Sequence, residues 1–187
     1  MATDALLQRL QREGLLKRAF VERMEEEAAA SRHSRESDED AGPTVGRRGP
    51  PPPHLQMLVW CDKGALEGGL TVALDVRADE LIGPLCAAVG GGAMRLRVLD
   101  VREGPPMELR IGWGELEEPW EIEDLYGLVQ NLNDLLRDDK TARAVAILGE
   151  WQDALQLWCV PKRGLARLLR QDFFAPRNRH QLEGLAS

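Results

Sequence analysis

Arg143-Ala-Val-Ala-Ile-Leu148 and Ala154-Leu-Gln-Leu-Trp-Cys-Val160, joined by Gly149-Glu-Trp-Gln-Asp153, decide how the chain folds. Two apolar runs with so short a link between them predict an antiparallel pair of strands. Pro161 then opens a short helix carrying Leu165, Leu168 and Leu169. Working towards the N-terminus, Met94–Val101 and Met107–Ile111 form a similar pair across Gly104-Pro105-Pro106. The run Leu55-Gln-Met-Leu-Val-Trp-Cys61 reads as a strand. A turn from Gly64 to Gly69 separates it from Leu70–Val76, in which Leu70, Val72, Leu74 and Val76 share one face.

A helix follows each pair. Residues 79–89 place Leu81, Leu85 and Val89 one turn apart and stop at Gly90-Gly91-Gly92, with Pro84 marking a start or a kink. Residues 120–137 carry a single apolar stripe of Ile122, Leu125, Val129, Leu132 and Leu136, and Pro119 suits the first turn. Strand, strand and helix recur in this order three times over residues 55–172. The pattern predicts an α+β fold with a largely antiparallel sheet and helices on one face.

Outside that domain the texture changes. Leu6, Leu7, Leu10, Leu15 or Leu16, Phe20 and Met24 give residues 1–30 an amphipathic helical stripe, which Gly14 splits into helices at 4–13 and 16–30. Such an arm is marginal alone and needs a surface to cover: its own domain, a second copy or another protein. Residues 31–54 are polar and charged and end in Pro50-Pro51-Pro52-Pro53, a composition that predicts a disordered linker with a stiff proline spacer. Residues 173–187 read as a loose basic tail.

Composition narrows the function classes. Within 187 residues, 43 % hydrophobic, no apolar run reaches the roughly 18 residues of a membrane span. No secretory leader is evident, so the expected compartment is the cytoplasm. Cys61, Cys86 and Cys159 are odd in number, far apart and set in apolar runs, which predicts buried thiols without a disulfide or zinc framework. The net charge of −7 is uneven: residues 100–153 hold 14 acids and 5 bases, residues 154–187 hold 2 and 6. An acidic domain of this kind repels nucleic acid and suits a protein partner with a basic surface.

No catalytic or cofactor signature stands out. His33, His54 and His180 fall in the linker, at its edge or in the tail, away from any rigid scaffold. Gly90-Gly91-Gly92 and Gly112-Trp113-Gly114 read as turns, since neither continues into a phosphate-binding pattern. Glu115, Glu117, Glu118, Glu121, Glu123 and Asp124 crowd together with no base among them, and Trp113, Trp120 and Trp151 lie in or beside loops. Tryptophan beside charge is a common composition of a binding hot spot.

The leading expectation is therefore a non-catalytic interaction module: an adaptor, a regulator or a chaperone- or immunity-like binder. Its expected contacts are Trp113, Glu115, Glu117, Glu118, Trp120, Glu121 and Trp151 on an acidic loop, with Leu6, Leu10 and Phe20 on the arm. The alternative is a carboxylate-dependent enzyme, with or without Mg²⁺, centred on residues 113–126. A third reading is nucleic-acid binding through Lys162, Arg163, Arg167, Arg170, Arg177 and Arg179. Self-association is compatible with the first of these.

Overall fold

Alternating residues of a strand point to opposite faces, and in this chain both faces are buried. The computed structural model describes residues 2–36 and 51–186. In β5 (Arg143–Trp151), Ala144, Ala146 and Leu148 join one apolar cluster while Val145 and Ile147 join another. β6 (Ala154–Pro161) does the same, with Trp158 and Val160 on one side and Leu155, Leu157 and Cys159 on the other. β1 (Gly69–Ala73) pairs with β6, giving a first antiparallel sheet of order β1-β6-β5. The second is β2 (Leu96–Arg102), β3 (Met107–Trp113) and β4 (Leu116–Ile122), also antiparallel and in chain order.

The helices fill the space on either side of the first sheet. Against Trp158 and its neighbours pack α1 (Ala2–Arg12), α2 (Arg18–Glu36), α3 (Pro53–Asp62), α6 (Leu165–Leu168) and α7 (Pro176–Leu185). On the other side α4 (Ala78–Val89) and α5 (Leu125–Leu135) lie between the two sheets, touching β5 and also β2 or β4. The order of layers is helices, sheet, helices, sheet. The class is α+β and antiparallel, as the sequence predicts. Helices cover both faces of the first sheet rather than the one face that the strand–strand–helix pattern predicts.

Four local differences have physical causes. Residues 55–61 are the helix α3 and not a strand. The run is apolar throughout, so periodicity cannot separate the two states, and Pro53 at its first turn suits a helix start. Its Met57, Leu58, Trp60 and Cys61 are buried between sheet and arm, leaving β1 to find its partner in β6. Helix α5 begins at Leu125 and not at 120, because Asp124 caps it by accepting a hydrogen bond from the Gly127 amide at 2.8 Å. The residues before it, including Pro119 with Glu117, Glu118 and Glu121, form β4 rather than a loop.

The C-terminal residues fold as α7 instead of a loose tail, burying Leu182 and Leu185. Finally, the arm packs on its own domain: Leu10, Leu15, Leu16, Phe20 and Val21 are core residues, with Gly14 separating α1 from α2. Helix α2 runs on to Glu36, past the expected start of the linker. The remainder of that linker, residues 37–50, lies outside the described residues.

The docking of α7 explains how β5 tolerates being the edge of its sheet. An edge strand presents unpaired N–H and C=O groups. Here Asn133 on α5 accepts from the Val145 amide at 2.8 Å and donates to the Val145 carbonyl at 2.9 Å. Asn178 on α7 accepts from the Ile147 amide at 2.8 Å, and the Ala175 amide donates to the Ile147 carbonyl at 2.8 Å. Two side-chain amides and one backbone amide thus stand in for a missing strand.

Candidate functional site

Trp113 faces Leu116 across the β3–β4 turn, which Gly114 closes at φ +64°. That register sends alternate residues of β4 in opposite directions. Trp120 and Ile122 are buried against α4 and α5 with Leu109 and Ile111 of β3. Glu117, Pro119 and Glu121 alternate with them on the outer face, beside Gly112, Arg110 and Glu108 of β3. Among the described residues no helix covers this face, and a shallow groove of about 340 Å³ crosses it, lined by Asp100, Arg102, Glu108, Arg110, Glu117 and Pro119.

Charge on this sheet is unbalanced. Arg102 approaches Asp100 at 3.8 Å and Glu108 at 3.6 Å. Glu115, Glu117, Glu118, Glu121 and Glu123 are all exposed, and none pairs with a cation among the described residues. Glu117 and Glu121 are four residues apart on β4, roughly 13 Å, but Glu121 and Glu108 are direct neighbours across the ladder, well within the Debye length of about 8 Å at physiological salt. The potentials of that pair therefore add, an arrangement that disfavours the sheet by itself.

β4 is also an edge, since its only strand partner among the described residues is β3. Pro119 sits at its centre, where a missing N–H is tolerated if that side of the strand faces solvent. The outward ladder is then interrupted midway, and the flanking glutamates repel another copy of themselves. Both devices keep the edge from pairing with a second strand.

The tryptophans take no part in this surface. Trp120 is 5 % exposed and belongs to the core; its Nε1 donates weakly to Glu118 at 3.4 Å. Trp113 is half-buried with its Nε1 bonded to the Gly92 carbonyl at 2.8 Å. Trp151 lies half-buried in the β5–β6 hairpin, far along the chain from the glutamates and packed on the first cluster. On the arm, Leu10 and Phe20 are spent on the chain's own core and Leu6 packs partly buried beside them. The site residues brought together on the outer face are therefore Glu117 and Glu121, with Glu115 in the turn before β4 and Glu118 on the opposite side with Trp120. Sequence reasoning missed their face-mates Asp100, Glu108 and Arg110, which the pairing of β2 and β3 supplies.

A second concavity, of about 710 Å³, opens where the β1–α4, β2–β3 and β4–α5 connections meet. Asp75, Arg77, Glu123 and Asp124 line it among Leu74, Val76 and Met107. Two of its polar groups, Arg77 and Asp124, are committed to partners outside it. Arg77 donates to Asp79 at 3.1 Å and to Glu103 at 2.6 Å. Asp124 caps α5 and pairs with Arg177 at 2.6 Å, and its pKa is lowered by the Gly127 amide and Arg177 in spite of partial burial, which acts to raise it.

Gly91 and Gly92 form a built structural contact and no phosphate cradle. Asp139 accepts from the Gly92 amide at 2.6 Å and from both the Thr141 amide and hydroxyl at 2.8 and 2.6 Å. These donors, the Thr141 hydroxyl first, hold the Asp139 carboxyl down at about 2. Gly91, at φ +57°, lies so close that a Cβ would stand 2.6 Å from the Thr141 hydroxyl. Burial raises the thiols of Cys61 and Cys159 to about 12 and that of Cys86 to about 11. All three are free and inert as nucleophiles in this state.

Among the described residues no group of three or more His, Cys, Asp or Glu could hold a metal ion, and no helix is long and apolar enough to cross a membrane. Comparison with family models, with curated proteins and with solved structures gives no match.

Proposed function

We propose that the chain is a non-catalytic protein-binding module whose acidic outer sheet, centred on Glu117 and Glu121 of β4, docks a partner with a basic surface. The observation that carries this reading is the pair Glu117 and Glu121, exposed and without a cation partner among the described residues, on a sheet face that no described helix covers, with Glu115 and Glu123 exposed in the segments that flank the strand. A natural sheet gains nothing in stability from such a pair. A second copy is repelled by it, and the proline at the centre of the edge argues against a partner that adds a strand. The side-chain carboxylates are what a partner reads, through lysine or arginine laid across the groove. Such contacts favour encounter rate and specificity more than raw affinity.

The test compares the full chain with a Glu117→Lys/Glu121→Lys double variant and a Glu25→Lys/Glu26→Lys control on exposed α2. Proteins captured from the native extract at low salt are identified by mass spectrometry, and their retention is followed along a salt gradient. The reading expects a basic partner that is salt-sensitive, retained by the control and lost by the β4 variant. An unchanged set of partners on the β4 variant would sink it. Full-length chain is required, because removing α1 and α2 would strip Leu10, Leu15, Leu16 and Phe20 from the core.

One observation favours a second reading, a carboxylate-dependent enzyme. Glu123 and Asp124 of the acidic run do meet Asp75 at the walls of the 710 Å³ concavity. Against it, both oxygens of Asp124 are already occupied by Gly127 and Arg177. Saturable Mg²⁺ shifts at Asp75 and Glu123, abolished by Glu123→Gln, would favour it.

A further inference from the structure

We infer that the cleft between the end of α1 and the turn from β6 into α6 binds a phosphoryl group. The cleft holds about 320 Å³, and Arg12, Arg163 and Arg167 line it together with Glu13 and Gly164. Buried Leu15 and Leu168 form its apolar floor. Gly164, in a left-handed conformation at φ +97°, reverses the chain between the strand and α6, so that Arg163 and Arg167 meet α1.

The charges there do not cancel. Glu13 is shared by Arg167 at 3.2 Å and Arg9 at 3.6 Å. Arg12 and Arg163 have no carboxylate within ion-pair distance among the described residues. Three arginines thus share the cleft with one glutamate, which Arg9 also reaches from outside it, in a chain whose net charge is −7. The bland account is that these cations complement the carbonyl end of α1. A helix end carries only about half an elementary charge, too little to satisfy the surplus. A concave group of planar guanidinium forks is instead suited to a compact oxyanion that accepts several hydrogen bonds, and a phosphoryl dianion fits better than a single carboxylate.

The ligand is one phosphoryl group rather than a nucleic-acid backbone, because three of the four C-terminal bases outside the cleft are already engaged. Lys162 donates to the carbonyls of Leu136, Arg137 and Asp139 at the end of α5. Arg177 pairs with Asp124, and Arg179 with Glu183 and the Leu169 carbonyl. Arg170 is the one C-terminal base outside the cleft without a partner among the described residues, and a single arginine makes no track for a polyanion. This small site lies in the outer helical layer, separated by both sheets and α4 and α5 from the acidic face of β4.

The experiment titrates the full chain with inorganic phosphate and, separately, O-phosphoserine, at constant ionic strength, following the Gly164 amide and the arginine Nε–H signals by NMR. The expected result is saturable movement of Gly164, Arg12 and Arg163 with both probes. Arg163→Gln and Arg12→Gln should each weaken binding at least about fivefold, since each removes one charge-assisted fork. Arg170→Gln, an exposed arginine of the same segment outside the cleft, should leave it unchanged. Tighter binding of phosphoserine assigns the site to a phosphorylated side chain, and tighter binding of phosphate to the free anion. Linear, unsaturating shifts, or equal weakening by Arg170→Gln and Arg163→Gln, would overturn the site and leave only diffuse counterion attraction. Neither result bears on the β4 variant, so this inference and the docking proposal fail separately.

Discussion

Replacing Asn133 should cost far more than an asparagine on a helix usually does. Its side chain is 3 % exposed and closes two hydrogen bonds on Val145, accepting at 2.8 Å and donating at 2.9 Å. Asn133→Ala leaves one buried backbone donor and one acceptor unpaired, at about 1–3 kcal/mol each. The expected loss is about 2–5 kcal/mol, a large share of the roughly 5–15 kcal/mol available to a domain. Urea denaturation of both proteins measures it, and hydrogen exchange at the Val145 amide reports whether the site itself has opened. Asn133→Leu separates the causes. Leucine refills the volume but offers no hydrogen bond, so it should be about as destabilised as alanine. A leucine variant close to wild type, or an alanine loss under about 0.5 kcal/mol, would mean that packing and not edge pairing holds β5.

Two other substitutions probe different parts of the fold. Leu10→Ala, at a side chain with no exposure, should destabilise the chain by about 2–5 kcal/mol, whereas Leu116→Ala, 57 % exposed, should stay within about 0.5 kcal/mol in the same denaturation assay. Asp139 has its pKa lowered from 3.8 to about 2 in the fold, so its contribution is complete above pH 4 or so and is lost as pH falls through both values. Asp139→Asn should therefore be less stable near neutrality and show a flatter loss of stability between about pH 4 and 2 in an acid titration followed by circular dichroism. An acid limb as steep as wild type would remove Asp139 from the account.

These outcomes depend on contacts that local sequence shows unevenly. The β5–β6 hairpin is legible because two apolar runs and a short glycine-containing link leave little else to build. α3 is illegible by the same criterion, since an unbroken apolar run has no period to reveal. Ile122 misleads for a subtler reason. It falls in phase with Leu125, Val129 and Leu132, although a strand ends at it and a helix begins three residues later. The usable signal was Asp124, a cap residue, together with the alternation of Glu117 and Glu121 with Trp120 and Ile122. The same alternation turns the tryptophan inward and leaves the carboxylates outside. Composition could announce the acidic run but not its solitude, because solitude is a property of what the rest of the chain fails to bring. Residues 154–187 hold six bases close in sequence to the acids of 100–153. Yet only Arg177 reaches the 115–124 run, at Asp124, while Arg167 turns to Glu13, Arg179 to Glu183 and Lys162 to backbone carbonyls. Folding has carried the cleft arginines and the β4 glutamates to opposite outer layers, where neither set neutralises the other. Separation of that kind orients an approaching charged partner before any contact forms. It follows that salt should weaken docking at β4 and binding at the arginine cleft independently, and that reversing charge in one layer should leave the other site's affinity intact.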